Sequence, residues 1–367
     1  MLPYLDGVFG NPSSSHVYGR VAREALDDAH ERLARSIGAD ARELVFTSGG
    51  TEADNLAVKG AAWAGKAKGH RIVTTPVEHH AVGHALAHLE KFGFEIVQVP
   101  VDRYGRVDPA DVEAAITDRT ILVSVMLANN EVGTIMPVRE IADVVRAHRG
   151  ILFHVDAVQA AAWVDLDVEA LGADLVALAA HKVEGPKGAG ALWIRRGTHI
   201  LAQQHGGSQE RHRRAGTEDV AGAVGMATAF ELAAAERSVT VPHVASLRDR
   251  LAAGVLALPG VELTGHPVER VPHILSVVVP GVDGGSVTLA LDLAGIAAST
   301  GSACSSGSTE VSHVLAAMGF PADEARGAVR LSLGRTTTEA DIDEALSIVP
   351  AAIMRLAAVA SAEVPAG

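Results

Sequence analysis

Short apolar runs alternate with stretches of helical period through the first part of the chain, and few architectures satisfy that alternation. Leu44–Thr47, Arg71–Thr75, Phe94–Val99, Ile121–Leu127, Ile151–Asp156 and Asp174–Ala179 are short and largely apolar, as buried strands are. Ahead of the first, Val21, Ala25, Ala29, Leu33 and Ile37 recur every fourth position up to Gly38, describing an amphipathic helix. Ala53, Leu56, Ala57, Gly60 and Ala64 mark a second helix, and Pro137 to His148 another, with the proline suited to a first turn. Strands joined by such helices pair in parallel, so the expected core is a mostly parallel sheet flanked by helices.

Ligands of such sheets collect beyond the carboxyl ends of the strands. The run Asp174–Ala179 continues into Ala180-His181-Lys182 and then Gly185-Pro186-Lys187-Gly188. Lys182 therefore stands where a strand leaves the sheet, among glycines that let other backbone come close. A buried lysine loses its charge readily and can form a Schiff base with an aldehyde such as pyridoxal phosphate; the plainer reading is a surface His-Lys pair. After Leu44–Thr47, Ser48-Gly49-Gly50-Thr51 opens a helix, either as a simple cap or as an anion site made by free N–H groups. Pro76-Val77-Glu78-His79-His80 follows the next strand and puts His79 at a strand-to-helix junction. His80, His84 and His88 share one helix face, but no acidic or thiol ligand joins them at suitable spacing, so a solvated face and no metal are expected. Asn129-Asn130-Glu131 after Leu127 reads either as a turn or as a place where ligands are held. Asp156, with Gln159 three residues on, either caps a turn or meets a buried cation, for which a protonated pyridinium nitrogen would serve.

Gly190–Ile194 adds a strand, and His205 to Arg211 is a polar loop too glycine-rich for a core, running into Arg214-Ala215-Gly216-Thr217. A helix spans Asp219 to Ala235. The pattern changes near Glu236 to Val241, where a domain boundary is expected. Beyond it a helix to Leu258 and strands at Ile274–Val279 and Val329–Leu333, separated by helices, make an α+β lobe. Ile296–Ala298 reads as a short strand leading into Ser299 to Ser308. The one cysteine of the 367 residues, Cys304, lies there, which excludes an intrachain disulfide and suits a reducing cytoplasm. A lone cysteine is commonly an inert buried hydrophobe. Here two glycines and five serines surround it, a composition that cannot enclose a thiol in apolar packing and suits a nucleophile on a tether.

The net charge of −13 argues against a nucleic-acid surface, and Arg211-His212-Arg213-Arg214 is too small a cluster to alter that. No apolar stretch approaches the roughly 20 residues that span a bilayer, and Met1 to Asp6 lacks a basic segment followed by an apolar one, so a cytoplasmic protein without membrane contact is expected.

Together these segments resemble the cysteine desulfurases of the housekeeping and nitrogen-fixation type, within the class V aminotransferases. The likeness runs from Gly10-Asn11-Pro12-Ser13-Ser14 to Leu333-Gly334-Arg335-Thr336-Thr337-Thr338-Glu339. It is strongest in Thr47 to Asn55, Glu78 to Val82, Ala128 to Thr134, His154 to Gln159 and Gly301 to Ser308. It implies a fold type I pyridoxal-phosphate enzyme. The large cofactor-binding domain, residues 14–237, would hold a mostly parallel seven-stranded sheet, and a smaller α+β domain, residues 238–367 with residues 1–13, would carry the cysteine loop.

The resemblance also implies roles. Lys182 would carry pyridoxal 5′-phosphate as a Schiff base, Asp156 would pair with the ring nitrogen, Gln159 with the phenolic oxygen, and His79 would stack on the ring. Gly50, Thr51 and His181 would bind the phosphate, completed by Thr217 from the other subunit of a homodimer. Asn130 would sit beside ring and substrate, and Arg330 would clamp the carboxylate of L-cysteine as a fork. With Lys182 and His79 moving the α-proton, Cys304 would take the substrate sulfur as a persulfide, releasing alanine, for acceptors such as an iron-sulfur scaffold.

The sequence departs from the family's pattern in three places. The pattern begins with a strand and an Ala-Ala-Thr-Thr loop, whereas this sequence starts inside the helix that follows them. Ala179 stands where a serine is usual, removing a phosphate hydroxyl, and Glu184 replaces a frequent tyrosine; weaker cofactor retention is expected. The alternatives are a selenocysteine lyase or carbon-sulfur lyase on the same scaffold, which would survive Cys304→Ala, and a cofactor-poor sulfur-relay partner.

Overall fold

The computed structural model describes residues 1–301 and 311–363, the side chains only to 359. The chain divides into two compact units: one of Met1–Val99, Val107–Leu127 and Met136–Arg237, the other of Pro100–Arg106, Ala128–Ile135 and Ser238–Gly367.

In the first unit the apolar runs become strands β1 (Leu44–Thr47), β2 (Arg71–Thr74), β3 (Glu95–Gln98), β4 (Thr120–Met126), β5 (Leu152–Asp156), β6 (Leu175–Ala179) and β7 (Gly190–Ile194). They form one seven-stranded sheet in the order β1-β7-β6-β5-β4-β2-β3, parallel except at β7, which runs against both of its neighbours. The helices are α1 (Leu2–Asp6), α2 (Val17–Ser36), α3 (Gly50–Gly65), α4 (His80–Glu90), α5 (Pro109–Ala115), α6 (Val138–Ala147) and α7 (Val168–Leu171). Every residue of β1, β4, β6 and β7 is buried, as expected of strands covered on both faces. One core lies where α3 and α4 press Leu56, Ala57, Ala61, Val82 and Leu86 onto Ile72, Leu122 and Leu175 of the sheet.

The expected assignment of residues 1–13 to the C-terminal lobe is corrected: they belong to the first unit. The N-terminal turn folds back onto α2, where Phe9 stacks on Tyr18 at 6.1 Å and Gly10 lies so close that a side chain would come within 2.1 Å of the Tyr18 carbonyl.

A single helix, α8 (Val220–Leu256), is continuous through Pro242, where two helices with a break were expected. A proline inside a helix removes one N–H and strains one turn, and the residues on both sides remain helical here. In the second unit, β8 (Glu262–Leu263), β9 (Ile274–Val278), β10 (Ser299–Thr300) and β11 (Ala328–Ser332) make an antiparallel sheet in the order β10-β11-β9-β8. It is accompanied by α9 (Gly284–Leu293), α10 (His313–Ala317), α11 (Ala322–Ala325) and α12 (Glu339–Glu363). Strand β10 begins later than the expected Ile296, because the Ile296 amide closes α9 by donating to the Leu291 carbonyl at 2.9 Å, with Gly295 left-handed at φ 89°. Residues 128–135 join this unit through backbone bonds from Ile135 N to Glu269 O and from Val271 N to Gly133 O, each 2.9 Å. Among the described residues no helix is long and apolar enough to cross a membrane.

Candidate active site

The carboxyl ends of β1, β5 and β6, with the turn ahead of α4, gather most of the residues singled out in the sequence. Strand β6 ends at Ala179 and passes at once into a 3-10 turn, Ala180–Val183, which carries His181 and Lys182. The turn closes by a bond from Gly185 N to Ala180 O at 2.8 Å, with Glu184 left-handed at φ 61°. Lys182 is exposed. The adjacent strand β5 ends at Asp156, whose register partner on β6 is Ala177. Asp156 Oδ1 accepts from Val158 N at 2.9 Å. Burial, and then Asp54, push the Asp156 carboxyl up to about 7, against the pull of the Val158 amide, His154 and Lys182. His181 is held below its ordinary range by partial burial and by Lys182 and Lys187.

Across the sheet, β1 leads into α3 through Ser48 and Gly49. Thr47 Oγ1 donates to Gly49 O at 3.0 Å, and Ser48 N donates to Glu52 Oε2 at 2.7 Å. Gly49 adopts φ 149° and caps α3 with no side-chain bond. The first helical bond, from Ala53 N to Gly49 O at 3.1 Å, leaves the amides of Gly50 and Thr51 ahead of it, at the positive end of a 16-residue helix. A side chain at Gly50 would come within 2.7 Å of Val158 Cγ2 and 3.5 Å of the Ala179 methyl, so the α3 turn, the segment after Asp156 and the end of β6 enclose one small space.

His79 is the N-cap of α4, its Nδ1 accepting from Ala81 N at 3.1 Å, which places the proton of a neutral ring on Nε2. Glu78 fixes that turn to the sheet: its Oε1 accepts from Thr75 Oγ1 at 2.7 Å and from Met126 N, beside Asp156 in register, at 3.1 Å. Gln159 lies half-buried in the turn after β5. Thr217 is exposed and borders, with Thr47, Ser48 and Gly188, a cavity of about 140 Å³. Its loop, expected outside the core, is anchored at the buried Glu210: Glu210 Oε2 lies 3.1 Å from His30 Nε2, and Glu210, Arg211 and His212 all take left-handed φ. Arg214 ties the same loop to the first turn of α3 by pairing with Glu52 at 2.8 Å.

Beneath Asp156 lies a buried polar layer that the sequence reading missed. Ser124 Oγ is 2.9 Å from His154 Nδ1, and His154 Nε2 is 3.5 Å from Asp54 Oδ1. Burial pushes Asp54 and Glu78 each up to about 8 and holds His154 down at about 4. One signal was available: His154 precedes Asp156 by two residues on one strand, and so shares its face. His80 and His84 stack at 4.9 Å along an open depression of about 450 Å³ that also touches Lys59, Asn55, His79 and His88. Among the described residues no group of three side chains is arranged to hold a metal ion.

In the second unit the structure separates the two asparagines. Asn129 is the turn former, its Oδ1 accepting from Glu131 N and Val132 N at 2.8 and 2.9 Å. The carbonyl of Asn130 accepts from Arg330 Nη1 at 2.7 Å. Cys304 lies outside the described residues.

The sequence matches the aminotransferase class-V family over residues 1–345. It is 49% identical to a cysteine desulfurase IscS of Methanosarcina thermophila over 97% of this chain and 88% of that protein. It is 47% identical to another from Dictyoglomus turgidum, covering 97% and 90%. Among solved structures, a NifS-like protein aligns with TM-score 0.91 at 36% identity over 97% of this chain and 94% of that one. SspA in complex with cysteine aligns with TM-score 0.80 at 30% identity, covering 92% and 94%. In sequence and in fold alike, over nearly its whole length, the chain belongs to the class-V aminotransferases, in the family's cysteine desulfurase branch.

Proposed function

We propose that this protein is a pyridoxal 5′-phosphate-dependent cysteine desulfurase. It converts L-cysteine to L-alanine and leaves the sulfur on Cys304 as a persulfide, for an acceptor such as an iron-sulfur scaffold. The observation that carries the reading is Lys182 and Asp156 at neighbouring strand ends, in a chain 49% identical to a protein named cysteine desulfurase. The residues present suit the cofactor. The uncapped α3 amides and the close-packed Gly50 turn suit a phosphate, and the buried Asp156, pushed up to about 7, would be stabilised as a carboxylate by a ring N–H.

When bound, the cofactor supplies an electron sink for the charge left as the α-proton departs. Lys182 Nζ, assisted by His79 Nε2, takes that proton and returns it. Gly50, Thr51 and His181 would hold its phosphate, Asp156 would keep the ring nitrogen protonated, and Gln159 would meet the phenolic oxygen. Arg330 receives the substrate carboxylate, with Asn130 beside it. The Cys304 thiolate attacks the substrate sulfur; the S–S bond forms as the Cβ–S bond breaks. The released electron pair stays with the carbon, which is protonated and leaves as alanine.

A homodimer is part of the proposal. Leu2, Leu5, Phe9 and Tyr18 of the first unit are exposed apolar side chains, Phe9 stacked on Tyr18, that suit contact with a second copy, and Thr217 of the partner subunit would complete the phosphate site. A single cysteine that must cycle through a persulfide suits the reducing cytoplasm.

Mass spectrometry after exposure to L-cysteine tests the reading. One added sulfur on Cys304 is expected in the wild type, and none in Cys304→Ala or Lys182→Ala. Alanine release that persists in Cys304→Ala would replace it with a lyase that ejects sulfur directly.

A further inference from the structure

Two consecutive residues of one loop in the second unit, Asn130 and Glu131, each hold a different part of that unit. The Asn130 carbonyl accepts from Arg330 Nη1 at 2.7 Å, and Glu131 Oε2 accepts from Ser312 Oγ at 2.5 Å. Glu131 and Ser312 are only 3% and 5% exposed. A side chain at Gly301 would sit 3.4 Å from the same Glu131 Oε2 and 3.7 Å from Ser312 Cβ. Residues 301 and 312 therefore meet at one carboxylate, and the sequence between them contains Cys304. The strand that delivers Gly301 is β10, whose Ser299 stands opposite Arg330 on β11.

Burying a carboxylate is costly. Burial pushes Glu131 above the usual carboxylate range, while the Ser312 hydroxyl and the charges of His313 and Arg330 hold it down. Capping α10 does not require this acid, because Ser312 Oγ reaches Leu315 N at 3.2 Å by itself. What the carboxylate adds is a junction between the two ends of the cysteine-bearing stretch and the loop that holds Arg330.

We propose that Glu131 is a positioning residue for sulfur transfer, gathering both ends of the cysteine-bearing stretch beside Arg330, so that one loop sets the origin of the thiol and the seat of the substrate carboxylate. The proposal rests on the reading of Cys304 as sulfur acceptor and Arg330 as carboxylate clamp.

Ser312→Ala removes the junction and leaves the Arg330 bond to Asn130 in place. The rate of persulfide formation on Cys304 in the holoenzyme is expected to fall about tenfold or more, as misplacement of a reacting group does, with the KM for L-cysteine changed less than about twofold. Glu131→Leu should reduce that rate at least as much. Ser312→Thr, which keeps the hydroxyl, should restore it. As a second readout, the cofactor-free protein is treated with a bulky aromatic disulfide, which reports on Cys304 alone because the chain has no other thiol. Its rate should change several-fold in Ser312→Ala and stay unchanged in Ser312→Thr. Wild-type persulfide and thiol-reaction rates in Ser312→Ala and Glu131→Leu overturn the proposal, as does equal loss in Ser312→Thr and Ser312→Ala. Should Glu131→Leu not fold, the paired Ser312 variants decide. Full activity in Cys304→Ala would instead overturn the underlying reading, leaving the two failures distinguishable.

Discussion

Asp54 shows how far a single side chain can depart from what its place in the sequence suggests. In sequence it is one more acidic residue just past the first turn of a helix, where solvent normally accommodates it. In the fold it is buried with His154 and Ser124 under Asp156, and burial pushes it up to about 8. An unfolded aspartate titrates near 3.8. The folded chain therefore binds this proton more tightly, and stability is lost as pH rises from about 4 toward 8, in the same direction as for Glu78 and Asp156. Asp54→Asn keeps the shape and removes the titration. In the cofactor-free protein its stability relative to wild type is expected to rise between pH 4 and 8, on the order of a few kcal/mol at about 1.4 kcal/mol per pKa unit. Urea unfolding at several pH values checks this; parallel pH profiles would mean that Asp54 is not held neutral. The lysine, the aspartate and the asparagine pair were legible because each follows a recognisable apolar strand. Asp54, Glu78 and Glu131 were not, because burial of a charged residue is decided by what packs over it.

The elements were easier to read than their ends. Strands β1 to β7 all fall within or beside the expected runs, since uninterrupted apolar sequence has few uses other than a covered strand. What periodicity could not supply was direction. β7 runs antiparallel between β1 and β6, which places Gly190 opposite both Thr47 and Ala179. A side chain there would come within 2.5 Å of the Gly49 carbonyl carbon, so backbone meets backbone at the turn that opens α3. Gly190→Ala is expected to destabilise the first unit by about 1–3 kcal/mol, the usual cost of overpacking, and to weaken cofactor binding by displacing the Gly49-Gly50 turn. Thermal unfolding and a spectroscopic cofactor titration measure the two effects; unchanged affinity with lowered stability would separate this turn from the phosphate site. The ends of α8 and β10 escaped the sequence reading for local reasons: Pro242 did not end its helix, and the Ile296 amide was taken by the closing turn of α9.

At the scale of the whole molecule, the exposed apolar side chains are unevenly distributed. Leu2 and Phe9 are 79% and 76% exposed, and Leu5, Val17 and Tyr18 share that N-terminal region. The chain carries a net charge of −13, so association of two copies must overcome repulsion, and an apolar face that excludes water is a physical means of doing so. If Thr217 reaches the phosphate of a partner subunit, breaking this face must impair a site whose other residues are left unaltered. Phe9→Glu combined with Leu5→Glu puts charge among these exposed apolar side chains and leaves Lys182, Asp156 and Gly50 unsubstituted. Analytical ultracentrifugation is expected to find a dimer in the wild type and a monomer in the double variant. The monomer should bind pyridoxal phosphate about tenfold more weakly, the loss of roughly one charge-assisted hydrogen bond. Thr217→Ala in the intact dimer should reproduce the weaker binding without dissociation. A monomeric variant that retains full cofactor affinity would show that each copy completes its own phosphate site, and would leave Thr217 with no role across the interface.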